Sequence, residues 1–275
     1  MTPLAHRTTM ERIGAKGENM NILDLRGENA LITGAGQGVG RQIALHFAAH
    51  NAGCVYVNDF SADRANAVVA EIRAAGARAE AVPCDVTDFR ALQQKIEPLD
   101  IHMLVNNAGN AGADPARVGG GDFWQQSPEQ WTPWIGVNLL GVMNAARLVL
   151  PKMVEAKRGS IVTIISDAGR VGEPRLEVYS AAKAGAAGFS RALAKSAGRH
   201  DVRVNCVAIS ATRTPATSRA MDNPEFAKRA LSNYVIRRFG EPSDVANMVL
   251  FVSSDAASWV TGQTYPVNGG YDFGM

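Results

Sequence analysis

Cysteine is scarce in this chain: three in 275 residues, at positions 54, 84 and 206. An odd number closes no complete disulfide framework, and the spacing matches no zinc-ligand pattern. Each lies in a short apolar stretch, so all three are expected to be reduced, buried thiols of a cytoplasmic protein. The five histidines, at 6, 46, 50, 102 and 200, form no cluster, and no metal site is expected. An excess of one charge is lacking too. The 28 basic and 26 acidic residues leave a net +2, which gives no footprint for nucleic acid or a membrane surface. No uninterrupted apolar run approaches the roughly 18 residues that span a bilayer. Residues 1–20 have neither the apolar stretch of a secretory signal nor a periodic apolar face, and Glu11 and Glu18 argue against an organelle transit peptide. They are read as a loosely held extension.

The 46% hydrophobic content is sorted into a clear alternation. Apolar runs at Ala30–Thr33, Cys54–Asn58, Ala79–Cys84, Ile101–Val105, Ser160–Ile165, Val202–Val207 and Thr264–Val267 read as strands. Helical patterns fill most intervals, notably Gly38–Ala49, Ala62–Ala75, Pro128–Glu155 and Glu177–Gly198. Near-continuous apolar strands alternating with helices predict a parallel sheet covered on both faces. Without repeats or a linker, one doubly wound α/β domain over 21–275 is expected. Its ligand belongs beyond the carboxyl ends of the strands.

Two groups of residues carry chemistry. After the first strand, Thr33-Gly34-Ala35-Gly36-Gln37-Gly38-Val39-Gly40 opens directly into a helix. Such a turn lets backbone approach a pyrophosphate and presents free N–H groups and a positive dipole end to it. The second strand ends at Asp59, placed to accept from adenosine ribose hydroxyls. The third ends in Cys84-Asp85-Val86-Thr87, where Asp85 faces the adenine and Thr87 caps the next helix; the fourth ends in Asn106-Asn107-Ala108-Gly109. The other group is Tyr179 and Lys183, four apart on one helix face. A free phenol titrates near 10, and a nearby cation favours phenolate. Ser166, at the end of the fifth strand, can steady an oxygen on which charge develops. Asn138 stands inside a helical pattern, where its amide competes with backbone hydrogen bonds.

These pieces resemble the short-chain dehydrogenase/reductase family in its ordinary length of about 250 residues. The TGAGQGVG turn is similar to that family's TGxxxGxG. NNAG at 106–109 and Ser166 followed by Tyr179-Ser180-Ala181-Ala182-Lys183 are similar to its other hallmarks, and the likeness runs from about Gly27 to Gly270. The resemblance implies a Rossmann-type fold, a homotetramer, and a catalytic set of Asn138, Ser166, Tyr179 and Lys183. In it Tyr179 exchanges the proton, Ser166 holds the substrate oxygen, and Lys183 tunes Tyr179 and grips the nicotinamide ribose. Asn138 marks a kink that holds a water of the proton relay. Cofactor contacts fall on Gly34, Gln37, Gly38, Val39, Asp59, Asp85, Val86, Asn107, Ala108, Gly109, Tyr179, Lys183 and Thr214.

The implied activity is hydride transfer between NAD(H) and a secondary alcohol or ketone. Two alternatives stand beside it: an NADP-dependent 3-ketoacyl reductase, and a nucleotide-binding scaffold without turnover. NAD is expected over NADP because Asp59 repels a 2′-phosphate. Gln37 and Phe60 offer no cation, and Arg64 is expected to lie away on the following helix.

Several features depart from the family. Ile209-Ser210 stands where Pro-Gly is usual, the helix after Asp88 is clipped, and the stretch 107–138, with Gly119-Gly120-Gly121, is longer. Asp167 puts a carboxylate beside the reacting centre, either on a polar substrate group or facing solvent. Residues 214–234 read as a lid with an apolar face from Ala216, Met221, Phe226, Ala230 and Leu231, fringed by Arg213, Arg219, Lys228 and Arg229. That suits a hydrophobic cyclic or β-hydroxyacyl alcohol, the latter carried on an anionic group such as a coenzyme A thioester.

Overall fold

Seven short strands lie side by side in the computed structural model, which describes residues 21–110 and 122–273. They are β1 (Ala30–Ile32), β2 (Val55–Asp59), β3 (Ala79–Pro83), β4 (Met103–Asn106), β5 (Gly159–Ser166), β6 (Val202–Ile209) and β7 (Thr264–Val267). The order is β3-β2-β1-β4-β5-β6-β7, and every pairing is parallel. The helices are α1 (Gly38–Ala49), α2 (Ala62–Ala74), α3 (Phe89–Ile96), α4 (Thr132–Ile135), α5 (Gly141–Ala156), α6 (Ala168–Val171), α7 (Glu177–Ala197), α8 (Ser218–Met221), α9 (Pro224–Leu231) and α10 (Pro242–Ser253). This is the expected doubly wound, single-domain sheet. The residue 1–20 extension and the Gly119-Gly120-Gly121 run lie outside the described residues.

Strand side chains alternate between two apolar layers, as the two-residue period of a strand requires. Ala30 and Ile32 pack with Ile43, Phe47, Val68, Ile72 and Val249, from α1, α2 and α10. Leu31, one residue out of phase, packs with Leu92, Ile96, Leu148, Val149 and Ala194, from α3, α5 and α7. Fully burying one such large side chain stabilises by about 1.5–3 kcal/mol, so the two layers fix the register of the strands. The strand order reverses between β1 and β4, the point beyond whose carboxyl ends a doubly wound sheet binds its ligand.

Several local readings change. Asp88, not Thr87, caps α3, accepting from Ala91 N, while Asp85 accepts from the Thr87 N–H and hydroxyl. Thr87 is therefore held inside a turn and is not free to cap. Cys54 and Cys206 are buried free thiols, whereas Cys84 is only half-buried, because β3 ends one residue before it. The predicted helix over 128–155 is segmented: a 3-10 turn (Pro128–Gln130), α4, a π turn (Gly136–Leu140), then α5. By length and apolarity alone Pro128–Ala156 has the makings of a membrane span, with mean hydropathy 1.3. Half of it is buried in the fold, and Ala145, Ala146 and Val149 face the sheet layer of α3 and α7.

Candidate active site

The turn after β1 is built for close approach. Gly34 has φ +61°, and a Cβ there would lie 2.8 Å from Ala108 Cα, so no other residue fits without strain. Thr33 Oγ1 accepts from the N–H groups of Asn107 and Ala108, and Asn107 Nδ2 donates to Thr33 O and Gly34 O, both at 3.0 Å. Asn107 thus acts by lacing the β1 and β4 turns together. Gln37 stands at the N-cap of α1 without a capping side-chain bond, leaving the first N–H groups of that helix open. All the residues expected to contact cofactor line one cleft of about 690 Å³. Open N–H groups, glycines where backbone must approach, and an acidic β2 end fit a dinucleotide.

The β2 end differs from expectation in one respect. Arg64 does lie on α2, but its side chain folds back onto Asp59, with Nη2 2.6 Å from Oδ1. The first turn of α2 starts three residues past Asp59, capped by Ser61, so the guanidinium reaches the carboxylate easily. It also sits 4.5 Å over the Phe60 ring. A cation therefore does accompany Asp59.

At the other end β5, the π turn and α7 bring the four catalytic candidates together. Lys183 is 3% exposed, and its Nζ donates to Ile164 O at 2.9 Å. Burial lowers its pKa to about 8. Nζ lies 5.8 Å from the Tyr179 ring centre, and Tyr179 and Ser166 share a hydrogen bond. Burial pushes the Tyr179 phenol up and the Ser166 bond pulls it partly back. A phenol lowered by Lys183 is not what the protein's own groups produce: desolvation of the buried phenol dominates its shift. Asn138 is fully buried in the π turn, where Nδ2 donates to Asn110 O (2.7 Å) and Trp134 O (2.9 Å) while Oδ1 has no partner among the described residues. A Cβ at Gly109 would lie 3.3 Å from that Oδ1 and 3.5 Å from Lys183 Nζ, so glycine keeps open a gap between them.

Asp167 does not face solvent, although it borders the cleft. It is 2% exposed and pairs with Arg170 at 2.7 Å, and Arg170 reaches Asp272 at 3.3 Å. The bridge ties the turn after Ser166 to the segment after β7. That segment carries Tyr271, whose ring lies 5.2 Å from Tyr234 and whose hydroxyl donates to Glu173. Tyr234 in turn holds Ser210 Oγ and accepts from Ala211 N at 3.1 Å. This preserves the backbone path without Pro-Gly: β6 runs on through Ile209, paired with Ser166 and Val267. Thr214 closes over the glycine turn, its Cγ2 3.3 Å from a Cβ position at Gly38. Of the four lid cations, Arg229 alone lines the cleft, and Arg213 is paired with Asp222 and Glu241.

A family model described as enoyl-(acyl carrier protein) reductase matches residues 34–272. The 7α-hydroxysteroid dehydrogenase of Escherichia coli K12 is 38% identical over 259 residues, 92% of this chain and 97% of that one. The 3-oxoacyl-[acyl-carrier-protein] reductase FabG of Thermotoga maritima is 36% identical, over 90% and 98% of the two chains. The chain belongs to the short-chain dehydrogenase/reductase family. A solved 7α-hydroxysteroid dehydrogenase complexed with NADH and 7-oxo glycochenodeoxycholic acid superposes with TM-score 0.84 at 36% identity, covering 92% of this chain and 98% of the other. Short-chain dehydrogenases/reductases have been solved with bound NAD and with bound NADP. This chain is accordingly an oxidoreductase of hydroxyl or keto groups that uses a nicotinamide dinucleotide.

Within that family frame, the sequence reading missed Arg64, Trp134, Glu173 and Tyr271. Trp134 meets Tyr179 edge-on at 5.5 Å; its place four residues before Asn138 was the available signal. Tyr271 and Glu173 carry none, since 98 residues separate them.

The buried ammonium yields a prediction. With a folded-state pKa near 8 against about 10.4 unfolded, Lys183 costs stability in full below pH 8, and the cost fades as pH rises toward 10. In thermal melts of the protein, Lys183→Met should therefore compare most favourably with wild type at pH 7 and lose ground by pH 9.5. A melting-temperature difference that stays constant across this range would contradict the assignment.

Proposed function

We propose that the protein oxidises secondary alcohols, or reduces the matching ketones, with NAD(H), acting on a bulky hydrophobic substrate that is cyclic or β-hydroxyacyl. The observation that carries this reading is the meeting of Ser166, Tyr179 and Lys183 at one end of a cleft whose other end holds the glycine turn and Asp59, with Asn138 fully buried behind it, across the gap at Gly109 from Lys183. A bound nicotinamide supplies the hydride acceptor and, when oxidised, a positive charge that favours the Tyr179 phenolate. Ser166 holds the substrate oxygen, and Tyr179 Oη takes the hydroxyl proton as the C–H bond yields its hydride, leaving the ketone. The proton then passes from Tyr179 by way of the Lys183 ammonium to a water in the gap at Gly109 and on to bulk solvent. That water is held by donating a hydrogen bond to Asn138 Oδ1, which has no partner among the described residues.

The substrate wall supports the class. Trp134, Leu176, Phe226, Tyr234 and Tyr271 give it a mostly aromatic lining, with Arg229 and Glu173 as charged points. Similarity to FabG keeps a 3-ketoacyl reductase as the second reading. A scaffold without turnover is disfavoured, since a buried Lys183 ammonium costs stability for no purpose there. Three free thiols support a reducing, cytoplasmic setting.

A homotetramer built on α5 and α7 is part of the same proposal. Leu140 and Met143 are 49% and 39% exposed beside the start of α5, and Ala181 and Ala184 are exposed on α7. Ala182, Ala186 and Ala187 serve the chain's own core. Light scattering at micromolar concentration should give four times the chain mass, and a monomer mass would contradict the assembly.

Absorbance of reduced nicotinamide, followed across a panel of bile alcohols, β-hydroxyacyl thioesters, polyols and hexoses with NAD and NADP, tests the activity. Turnover of the first two classes with higher catalytic efficiency for NAD is expected. Preference for a polyol or hexose would show the wall misread; efficiency higher with NADP would overturn the cofactor assignment.

A further inference from the structure

A carboxylate at the end of β2 selects NAD by offering acceptor oxygens to ribose hydroxyls and by repelling a 2′-phosphate. Arg64 alters both properties of Asp59. Oδ1 already accepts from Ser61 N (3.0 Å) and from Arg64 Nε (3.2 Å) and Nη2 (2.6 Å). Oδ2 accepts from Gly36 N alone, at 3.0 Å, so it is the oxygen with capacity for a ribose hydroxyl. The guanidinium also cancels the negative charge that would repel a phosphate. It is not locked away: the Asp59 side chain is 4% exposed, but that of Arg64 is 33% exposed. Arg64 and Phe60 both line the cleft. A planar fork of N–H donors suits a phosphate as well as a carboxylate. Gly36 touches both partners, since a Cβ there would lie 2.6 Å from Arg64 Cβ and from Asp59 Oδ2. The pair therefore borders the same turn that is placed to meet the pyrophosphate. The other cations lining the cleft among the described residues, Lys183 and Arg229, belong to its substrate half.

We propose that Arg64 is a second cofactor-selecting residue. Asp59 Oδ2 takes the free 2′-hydroxyl of NAD, whereas a 2′-phosphate draws Arg64 away from Asp59 and pairs with it. The chain thereby retains a capacity for NADP that a lone Asp59 would deny. NADP stays the weaker ligand, because turning Arg64 leaves Asp59 without its cation. This rests on the dinucleotide reading of the cleft and goes beyond it by assigning discrimination to a coupled pair.

Calorimetric titration of NADH and NADPH into wild type, Arg64→Ala, Arg64→Lys, Asp59→Ala and the Asp59→Ala/Arg64→Ala double variant tests the pair without any turnover. Arg64→Ala should weaken NADPH by about tenfold to a hundredfold, the worth of charge-assisted hydrogen bonds, and move NADH far less. Arg64→Lys should keep part of the NADPH affinity. Asp59→Ala should tighten NADPH by about tenfold or more as Arg64 is released, and the double variant should lose that gain. An unchanged NADPH affinity in Arg64→Ala, or a double variant that binds NADPH like Asp59→Ala, overturns the proposal. Wild type preferring NADPH and losing it with Arg64→Ala would support Arg64's role while refuting the NAD assignment. Binding of neither dinucleotide would refute both.

Discussion

Lys183 Nζ is buried and donates to the carbonyl of Ile164 on the central strand β5, and the four catalytic candidates are arranged around that contact. An ammonium placed there requires α7 to lie against β5 at a fixed height, which also sets Tyr179 one turn earlier beside Ser166. Gly109 leaves open the space between Nζ and Asn138 that a Cβ would narrow. The placing of the ammonium also explains the π turn. The extra residue in that turn lets Asn138 face inward, where its amide ties to Asn110 and Trp134. Desolvation of the lysine is a stability cost that a fold carries only where the charge has work to do.

The sheet was legible in the sequence because strand burial on both faces leaves unbroken apolar runs, and α1 was legible to the residue. The glycine turn, Asp59 and the Tyr179–Lys183 spacing were legible for a related reason: chemistry there depends on local backbone geometry, and local geometry is written in neighbouring residues. What escaped depends on side chains that bend or on distant segments. Arg64 folds back against its own helix, which no periodicity encodes. Asp167 pairs through Arg170 with Asp272, 105 positions further on, so a sequence reading sees only an exposed-looking acid after a serine. The direction of the Tyr179 shift escaped for a third reason. Spacing reports that a cation is near, but not how far the phenol itself is withdrawn from water.

The half of the cleft proposed to take substrate is a composite. Its floor is Ser166, at the end of β5, and Tyr179, on α7. Its walls come from Tyr234, which replaces the stiffness of Pro-Gly with a hydrogen bond to Ser210 and Ala211, and from Tyr271 on the segment after β7. Both tyrosines pair an apolar ring with an anchored hydroxyl, which gives a hydrophobic wall of fixed shape.

The claim that Tyr179 carries the proton within this geometry is tested most directly by single-turnover oxidation with saturating NAD, wild type against Tyr179→Phe. The account predicts nearly unchanged NAD affinity and a hydride-transfer rate lower by about 10²–10⁴-fold, the usual contribution of general acid–base catalysis. A Tyr179→Phe enzyme that transfers hydride at a rate close to wild type would show that another group moves the proton and that the Ser166–Tyr179–Lys183 arrangement has been misassigned.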